Sequence, residues 1–378
     1  MATSRPPWHV PGVILFSQGE LSYEVDLSHD VVEELAQSRL GESTVLAWER
    51  RGAHRTRPVI VRSLPPTSAR DPEALARMRA RLSEEARLAM YLEDPRIARV
   101  LGRYEVQGAL HVVSERVEGT SINTLINHSL QRKARLSPGF CLYVGAEVAS
   151  ALRHAHTRTD EHGAPLGIVH RDVNPARIYL GTEGEVVLTD FARARSWLPG
   201  RVETTLPRPE GDVFYCSPEA LLGKETDPRS DLFSLGLVLL ELATWSHLYS
   251  TANARLADLE EALTPATRKR ILEATINAWS GYEDMPEHAE DCILRAATFA
   301  PEDVEEMTRG LAPPLRSIVR KLIQRNPEDR YQTAAELEEE LRAGLGGRYG
   351  PTQALEEVQG SLKGGRGARR VVGPAAEA

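Results

Sequence analysis

Between about residues 13 and 64, apolar positions come in short β-branched and aromatic runs (VILF, LSYEV, STVLAW, RPVIVRSL) separated by turn-forming residues, which predicts a β-rich segment. The period then changes. Leu75, Met78, Leu82, Ala86 and Ala89 fall three or four residues apart, and Asp71-Pro72 ahead of them marks a helix start with proline at the first helical position. RVLGRYEV and ALHVVSERV predict two further strands. After Gly119 the spacing turns helical, with CLYVGAEVASALRHAH as the clearest long buried helix. Short strands flank Asp172, a polar stretch rich in Pro, Arg and Thr covers 193–210, and helices follow to about 344. Within 251–310, Thr264-Pro265 starts one helix, and Ala289, Cys292, Ile293, Ala296 and Ala297 stripe another for core packing. Beyond Gly344 the chain is Gly-, Arg- and Ala-rich and reads as mostly disordered, broken by a short helix at TQALEEVQGSL. Lys363, Arg366, Arg369 and Arg370 there read as a solvated tail. The predicted organisation is an N-terminal extension (1–20), one domain (21–345) and a tail (346–378). The domain divides into a β-rich lobe (about 21–116) and a helical lobe (about 117–345) that includes the expansion at 251–310.

Composition narrows the class. With 378 residues, 41% hydrophobic and 26% charged, the chain has ample core for a soluble globular protein. A net charge of −8 argues against a nucleic-acid partner. The widely spaced Cys141, Cys216 and Cys292 form neither a disulfide framework nor a zinc cluster. No apolar run approaches the roughly 18 residues of a membrane span, and MATSRPPWHVPG lacks the apolar core of a signal peptide. The expectation is a cytoplasmic protein without membrane contact. His154, His156 and His162 sit at a helix end and in a loop, where solvent or capping roles outweigh metal binding. Arginine supplies 41 of the 46 basic residues, and none of the five lysines (Lys133, Lys224, Lys269, Lys321, Lys363) precedes residue 133.

The chemistry concentrates in five spaced segments: GIVHRDVNPARIYL, LTDFARA, YCSPEALLG, DPRSDLFSLGLVLLEL and NPEDRYQTAAEL. In this order they resemble the eukaryotic-like serine/threonine protein kinases of bacteria, over roughly residues 21–345. The resemblance implies an α+β, two-lobed protein kinase-like fold, with a small β-rich lobe carrying one helix and a large helical lobe. It implies Asp172 as the base that orients a substrate hydroxyl and Asp190 as a metal ligand, with His170, Arg171 and Phe191 as structural neighbours. Glu219 is then the buried partner of Arg330, and Asp231 the support of the catalytic-loop backbone.

Against that family the sequence departs at the chemistry. RPVIVRSL places Arg62 at the phosphate-gripping lysine, with Glu85 as its pairing glutamate; a planar guanidinium is not a compact ammonium. Aligning STVLAW on the family's glycine-rich strand puts Ser38, Leu40 and Ser43 at the glycine positions and Val45 at the following valine, although Gly41 leaves a one-residue shift open. Leu40 would obstruct the close approach of backbone N–H groups to phosphates. In the adenine slot, bounded by Glu115 and Val117, Ile60 replaces a small alanine and Tyr179 a leucine, although Tyr179 also fits plain core packing. Asn174 replaces the catalytic-loop lysine, Asp212 a threonine beside Asp172, and Ala192 a glycine. Arg177 stands where an asparagine holds magnesium, and a guanidinium has no lone pair to offer. It could instead neutralise Asp190 and Asp172 in place of the ion. The expectation is a pseudokinase that needs no cofactor and acts by binding signalling proteins, such as an active kinase or its substrate. The alternative is a divergent active serine/threonine kinase using ATP and Mg²⁺.

Overall fold

Residues 27–37, 42–51, 54–67, 72–199, 211–250, 263–279, 289–347 and 349–363 are described by the structure, a computed structural model. The β-branched runs pair first. Strands β1 (Leu27–Gln37), β2 (Ser43–Arg51), β3 (His54–Leu64), β4 (Val100–Val106) and β5 (Ala109–Glu115) form one antiparallel sheet in the order β1-β2-β3-β5-β4. β1, LSHDVVEELAQ, lies between the predicted runs; its register against β2 shifts twice, at Val31/Glu33 and Glu34/Ala36. VILF and LSYEV lie outside the described residues. Helix α1 (Pro72–Leu88) starts at the predicted proline and packs Leu75, Leu82 and Ala86 onto Leu64, Leu110 and Val112. Cross-strand pairing places Arg62 opposite Val112 and Leu64 opposite Leu110, so Arg62 shares this inner face.

The large lobe begins with β6 (Gly119–Ser121), which joins β7 (Ile178–Gly181) and β8 (Val186–Leu188) in a second, three-stranded sheet. Its core centres on α3 (Pro138–His156) and α5 (Pro228–Thr244), which follow α2 (Ile122–Arg132) and the one-turn α4 (Pro218–Leu221). Ser137 and Asp227 cap α3 and α5 through their side chains, each ahead of a proline. In the expansion, α6 (Pro265–Trp279) starts at the predicted Thr264-Pro265, and α7 (Ala289–Thr298) buries Ala289, Cys292, Ile293 and Ala296 as its stripe predicts. Then come α8 (Pro301–Thr308), α9 (Pro313–Leu322) and α10 (Ala334–Leu345). Among the described residues no helix is long and apolar enough to cross a membrane.

The short helix expected at TQALEEVQGSL is present as α11 (Pro351–Lys363), and it is docked, burying Ala354 and Val358. Glu357 accepts hydrogen bonds from the Ser137 N–H and hydroxyl, both at 2.6 Å, at the α3 N-terminus. Arg132 reaches the Ser361 carbonyl, and Gly184 lies so close to the Pro351 carbonyl that a Cβ would sit 2.2 Å from its oxygen. Two buried apolar residues and a charged cap at a helix N-terminus give a thirteen-residue helix the tertiary support that its composition alone does not supply.

Candidate active site and its ion-pair ladder

The loop carrying His170, Arg171 and Asp172 is held from below. Asp231, in the first turn of α5, accepts the His170 and Arg171 N–H groups, each at 2.8 Å, one on each carboxylate oxygen. That grip holds Arg171 in a left-handed conformation, φ +62°, which L residues seldom adopt. His156, at the end of α3, donates from Nε2 to the same Asp231 at 2.8 Å. Burial raises the Asp231 carboxyl, but the His156 hydrogen bond and the neighbouring imidazoles outweigh it and hold it below its usual range. His170 in turn packs edge-on against Phe191, 4.4 Å between ring centres. Behind the site, Glu219 and Arg330 form a buried bidentate pair, 2.8 Å on each arm, with the Ser230 hydroxyl on the same carboxylate.

Five charged residues named from the sequence form one connected chain. Arg62, on the inner face of β3, pairs with Glu85 of α1 and donates to Asp190 Oδ1 at 3.3 Å. Arg177 bridges the two retained aspartates, its Nη1 2.9 Å from Asp190 Oδ2 and its Nε 3.1 Å from Asp172 Oδ2. Arg193, which the sequence reading passed over, brings its Nε to 3.6 Å from the same Asp172 oxygen. The ladder therefore runs Glu85–Arg62–Asp190–Arg177–Asp172–Arg193, three carboxylates against three guanidiniums. Burial lowers Arg62, but Glu85 and then Asp190 outweigh it and hold the guanidinium above its ordinary value. Burial raises Asp190 too, yet Arg62 and Arg177 prevail and hold its carboxyl at about 2. For Glu85 burial is the larger influence and pushes it up to about 7 against the pull of Arg62.

Asp172 itself is almost sealed, its side chain 2% exposed. Oδ1 accepts from Asn174 Nδ2 at 2.9 Å and from the Asp212 N–H at 3.1 Å, while Oδ2 faces Arg177 and Arg193. Three hydrogen-bond donors and one further guanidinium charge surround a group with about four acceptor directions. Asp212 approaches through its backbone; its carboxylate turns away to cap the Phe214 N–H at 3.1 Å. Burial, with Asp172 adding to it, raises the Asp212 carboxyl. Ala192 sits outside the left-handed region, in a turn whose N–H reaches Asp190 Oδ1 at 3.3 Å.

The glycine-rich alignment needs a correction. β2 pairs with β3 so that Thr44 lies opposite Arg62 and Leu46 opposite Ile60, while Ser43 faces Ser63 and Val45 faces Val61. Side chains alternate along a strand, so Ser43 and Val45 lie on the outer face, where Val45 packs with Ala47, Val59, Val61, Tyr104 and Val113. A one-residue slip exchanges the faces. The cleft residue of this strand is Leu46, and the same shift moves Gly41, rather than Leu40, to the second glycine position. The obstruction expected of Leu40 is thereby withdrawn; Ser38, Leu40 and Gly41 lie outside the described residues. Ile60 does face the cleft, so its roof carries two branched side chains, Ile60 and Leu46. On the opposite wall Tyr179 is half-buried, alternating with buried Ile178 and Leu180. Glu115 is exposed and accepts the Arg99 N–H at 3.3 Å; Val117 is half-buried.

The donor set does not fit a divalent metal. Both oxygens of Asp190 are engaged by guanidiniums, and the second ligand position is a cation. Among the described residues no group of three or more His, Cys, Asp or Glu is placed to hold an ion. Alongside the ladder, Glu84 accepts the Ser196 hydroxyl at 2.8 Å and pairs with Arg87, tying α1 to the segment after Phe191. The Glu84–Ser196 contact was not legible beforehand, because the two residues are 112 positions apart.

A two-lobed fold with this loop, its α5 support and the Glu219–Arg330 pair defines a protein kinase domain. Residues 53–341 match the Protein kinase domain family, and the chain belongs to it. It is 30% identical over 268 residues to the tyrosine-protein kinase MasK of Myxococcus xanthus, covering 70% of this chain and 38% of that protein. It is 29% identical over 290 residues to the serine/threonine-protein kinase PknB of Mycobacterium tuberculosis, covering 75% and 38%. A probable serine/threonine-protein kinase of Streptomyces coelicolor, SCO3848, is 29% identical over 324 residues, covering 84% and 40%. The chain thus spans about two fifths of the length of these relatives. Among solved structures, a double-mutant form of the Mycobacterium tuberculosis PknI kinase domain superposes with a TM-score of 0.51 at 21% identity, covering 84% of this chain and 95% of that one.

Proposed function

We propose that this kinase domain is a pseudokinase, which acts by binding signalling proteins (an active kinase or a kinase substrate) without nucleotide or metal. The observation that carries the reading is the enclosure of Asp172. A base that orients a hydroxyl needs a free lone pair facing the cleft, and both oxygens of this carboxylate are enclosed by three hydrogen-bond donors of its own chain and by the Arg193 guanidinium at 3.6 Å. Arg177 supports it further by occupying the metal position with positive charge, and Ile60 with Leu46 by narrowing the roof of the slot. A second reading, a divergent active serine/threonine kinase using ATP and Mg²⁺, draws support from the closed Arg62–Glu85 pair and from relatives that are kinases. In it, Asp172 is the base, Asp190 the metal ligand, and Arg62 with Glu85 the phosphate clamp. Incubation with radiolabelled ATP, Mg²⁺ or Mn²⁺ and a generic protein substrate separates the two. The pseudokinase should incorporate no more label into itself or the substrate than its Asp172→Asn variant. Transfer that disappears in that variant makes the chain an enzyme.

A further inference from the structure

The outer face of the small-lobe sheet is buried, although among the described residues no element lies across it. Helix α1 is the described helix that packs on this sheet, and it covers the inner face around Leu64, Leu110 and Val112. On the other side Ala47, Val59, Val61, Val113 and Tyr104 form a separate buried cluster. Neighbours within the sheet account for one end of it. Tyr104 folds back along β4, its ring atoms 2.9 Å from where a Gly102 Cβ would stand, and Gly102 is paired with Val113. That ring shields Val113. Val59 and Ala47 lie two and three strands away from β4, at about 10 and 14 Å, beyond its reach. Val59 is flanked across the sheet by the methyl group of Ala47 and by exposed Glu115, and Arg57, next on the same face of β3, is also exposed. Neighbours so small or so open would leave a valine on a solvent-facing sheet partly wet. Val59 and Ala47 are both 0% exposed. A single chain shows this burial, so neither a second copy nor a partner protein supplies the cover.

We propose that the cover is the chain's own N-terminal segment, residues 8–16 (WHVPGVILF), laid as a strap over the outer face of this sheet. Position and composition separate it from the other stretches outside the described residues. Those at 38–41, 52–53 and 68–71 are at most four residues long and sit at the ends of strands or of α1, away from the middle of the sheet. The stretch 200–210 leaves from Pro199, whose carbonyl is held by Arg87 of α1 on the inner side. Residues 251–262 and 280–288 are bounded by large-lobe helices, and 364–378 leave from α11, docked on the large lobe. Residues 1–26, by contrast, lead directly into β1, the edge strand of this sheet. The ten residues between Phe16 and Leu27 span up to about 35 Å when extended, more than the roughly 19 Å across five strands. Trp8, Val10, Val13, Ile14, Leu15 and Phe16 make the segment apolar enough to match the face, and no kinase motif uses them. Such a strap supports β3, and with it Arg62, from the side opposite the cleft. The inference stands whether or not the cleft transfers phosphate.

The test is photo-cross-linking in the full chain, with a benzophenone amino acid in place of Phe16. Irradiated in dilute solution, it should attach within one molecule to β2, β3 or β5, at or beside Ala47, Val59 and Val61, as read by peptide mass spectrometry. The same amino acid in place of Ser4, ahead of the apolar run, should give far less of these products. A second variant, Leu15→Ser/Phe16→Ser, removes one apolar residue from each side of the run, so it weakens the strap whichever side faces the sheet. It should melt several degrees below the parent chain and bind more of the hydrophobic dye ANS, because an apolar sheet face is then open. Ser17→Ala/Gln18→Ala should match the parent in both. A synthetic peptide of residues 6–20 should lower the dye signal of the double-serine variant and leave that of the parent unchanged. The proposal is overturned if the benzophenone at position 16 attaches only to the large lobe, only between molecules, or nowhere. It fails equally if the double-serine variant melts and binds dye as the parent does.

Discussion

Replacing Arg177 with alanine tests whether a guanidinium stands in for the metal. Arg177 contacts Asp172 at 3.1 Å and Asp190 at 2.9 Å. At about 3 Å and an effective dielectric near 20, one such contact is worth roughly 5 kcal/mol before desolvation. Stripping a partner from a buried pair typically costs about 3–5 kcal/mol. Two features reduce that figure here. The Arg177 side chain is 34% exposed, so solvent screens part of the attraction. Each carboxylate also keeps other donors: Asn174, the Asp212 N–H and Arg193 for Asp172, and Arg62 for Asp190. The expected loss is about 2 kcal/mol in equilibrium urea unfolding, above the roughly 0.5 kcal/mol of an ordinary surface change. Arg153→Ala, which breaks an exposed pair with Glu338, is the control and should cost under about 1 kcal/mol. Adding Asp190→Asn to Arg177→Ala should recover part of the loss, because the stranded charge is then gone. The coupling in that double-mutant cycle should fall at about 0.5–3 kcal/mol. An Arg177→Ala variant as stable as the Arg153→Ala control, or a strictly additive cycle, refutes the substitution of charge for metal.

Three further outcomes follow from the same geometry. ATP, with or without Mg²⁺, should leave the melting temperature nearly unchanged, while Ile60→Ala combined with Arg62→Lys should restore a measurable shift; a large Mg²⁺-dependent shift in the parent chain contradicts the narrowed slot. Asp190 is held at about 2 against an ordinary 3.8, so its contribution is fully present above 3.8 and is lost as pH falls through 2. Between pH 6 and 2 the parent chain should therefore lose about 2 kcal/mol more than Asp190→Asn, and parallel stability curves would count against the ladder. Gly184 has φ +88° and no room for a Cβ beside Pro351, so Gly184→Ala should destabilise by at least about 1 kcal/mol. Hydrogen exchange should then quicken in α11, and unchanged protection there would show the helix docked by other contacts.

Much of the architecture was readable because its signals are local. Proline after a capping residue starts α3, α5 and α6, and three-four spacing marks α1 and α7, since a helix writes its buried face into neighbouring residues. β1 was not readable: LSHDVVEELAQ has no strict alternation, and its backbone becomes a strand only by pairing, with two register shifts, against β2. The same limit explains Val45. The sequence supplied the strand but not its face, and the cross-strand register against β3 turned Leu46 rather than Val45 to the cleft. Within the site, the motif spacing of the resembled family located Arg62, Glu85, Asp172, Arg177 and Asp190. Their joining into one ladder, the approach of Arg193 to Asp172, the His156 support of Asp231 and the docking of α11 on Ser137 were decided by tertiary structure. Those contacts join residues between 5 and 220 positions apart, and only packing fixes which carboxylate oxygen each donor reaches.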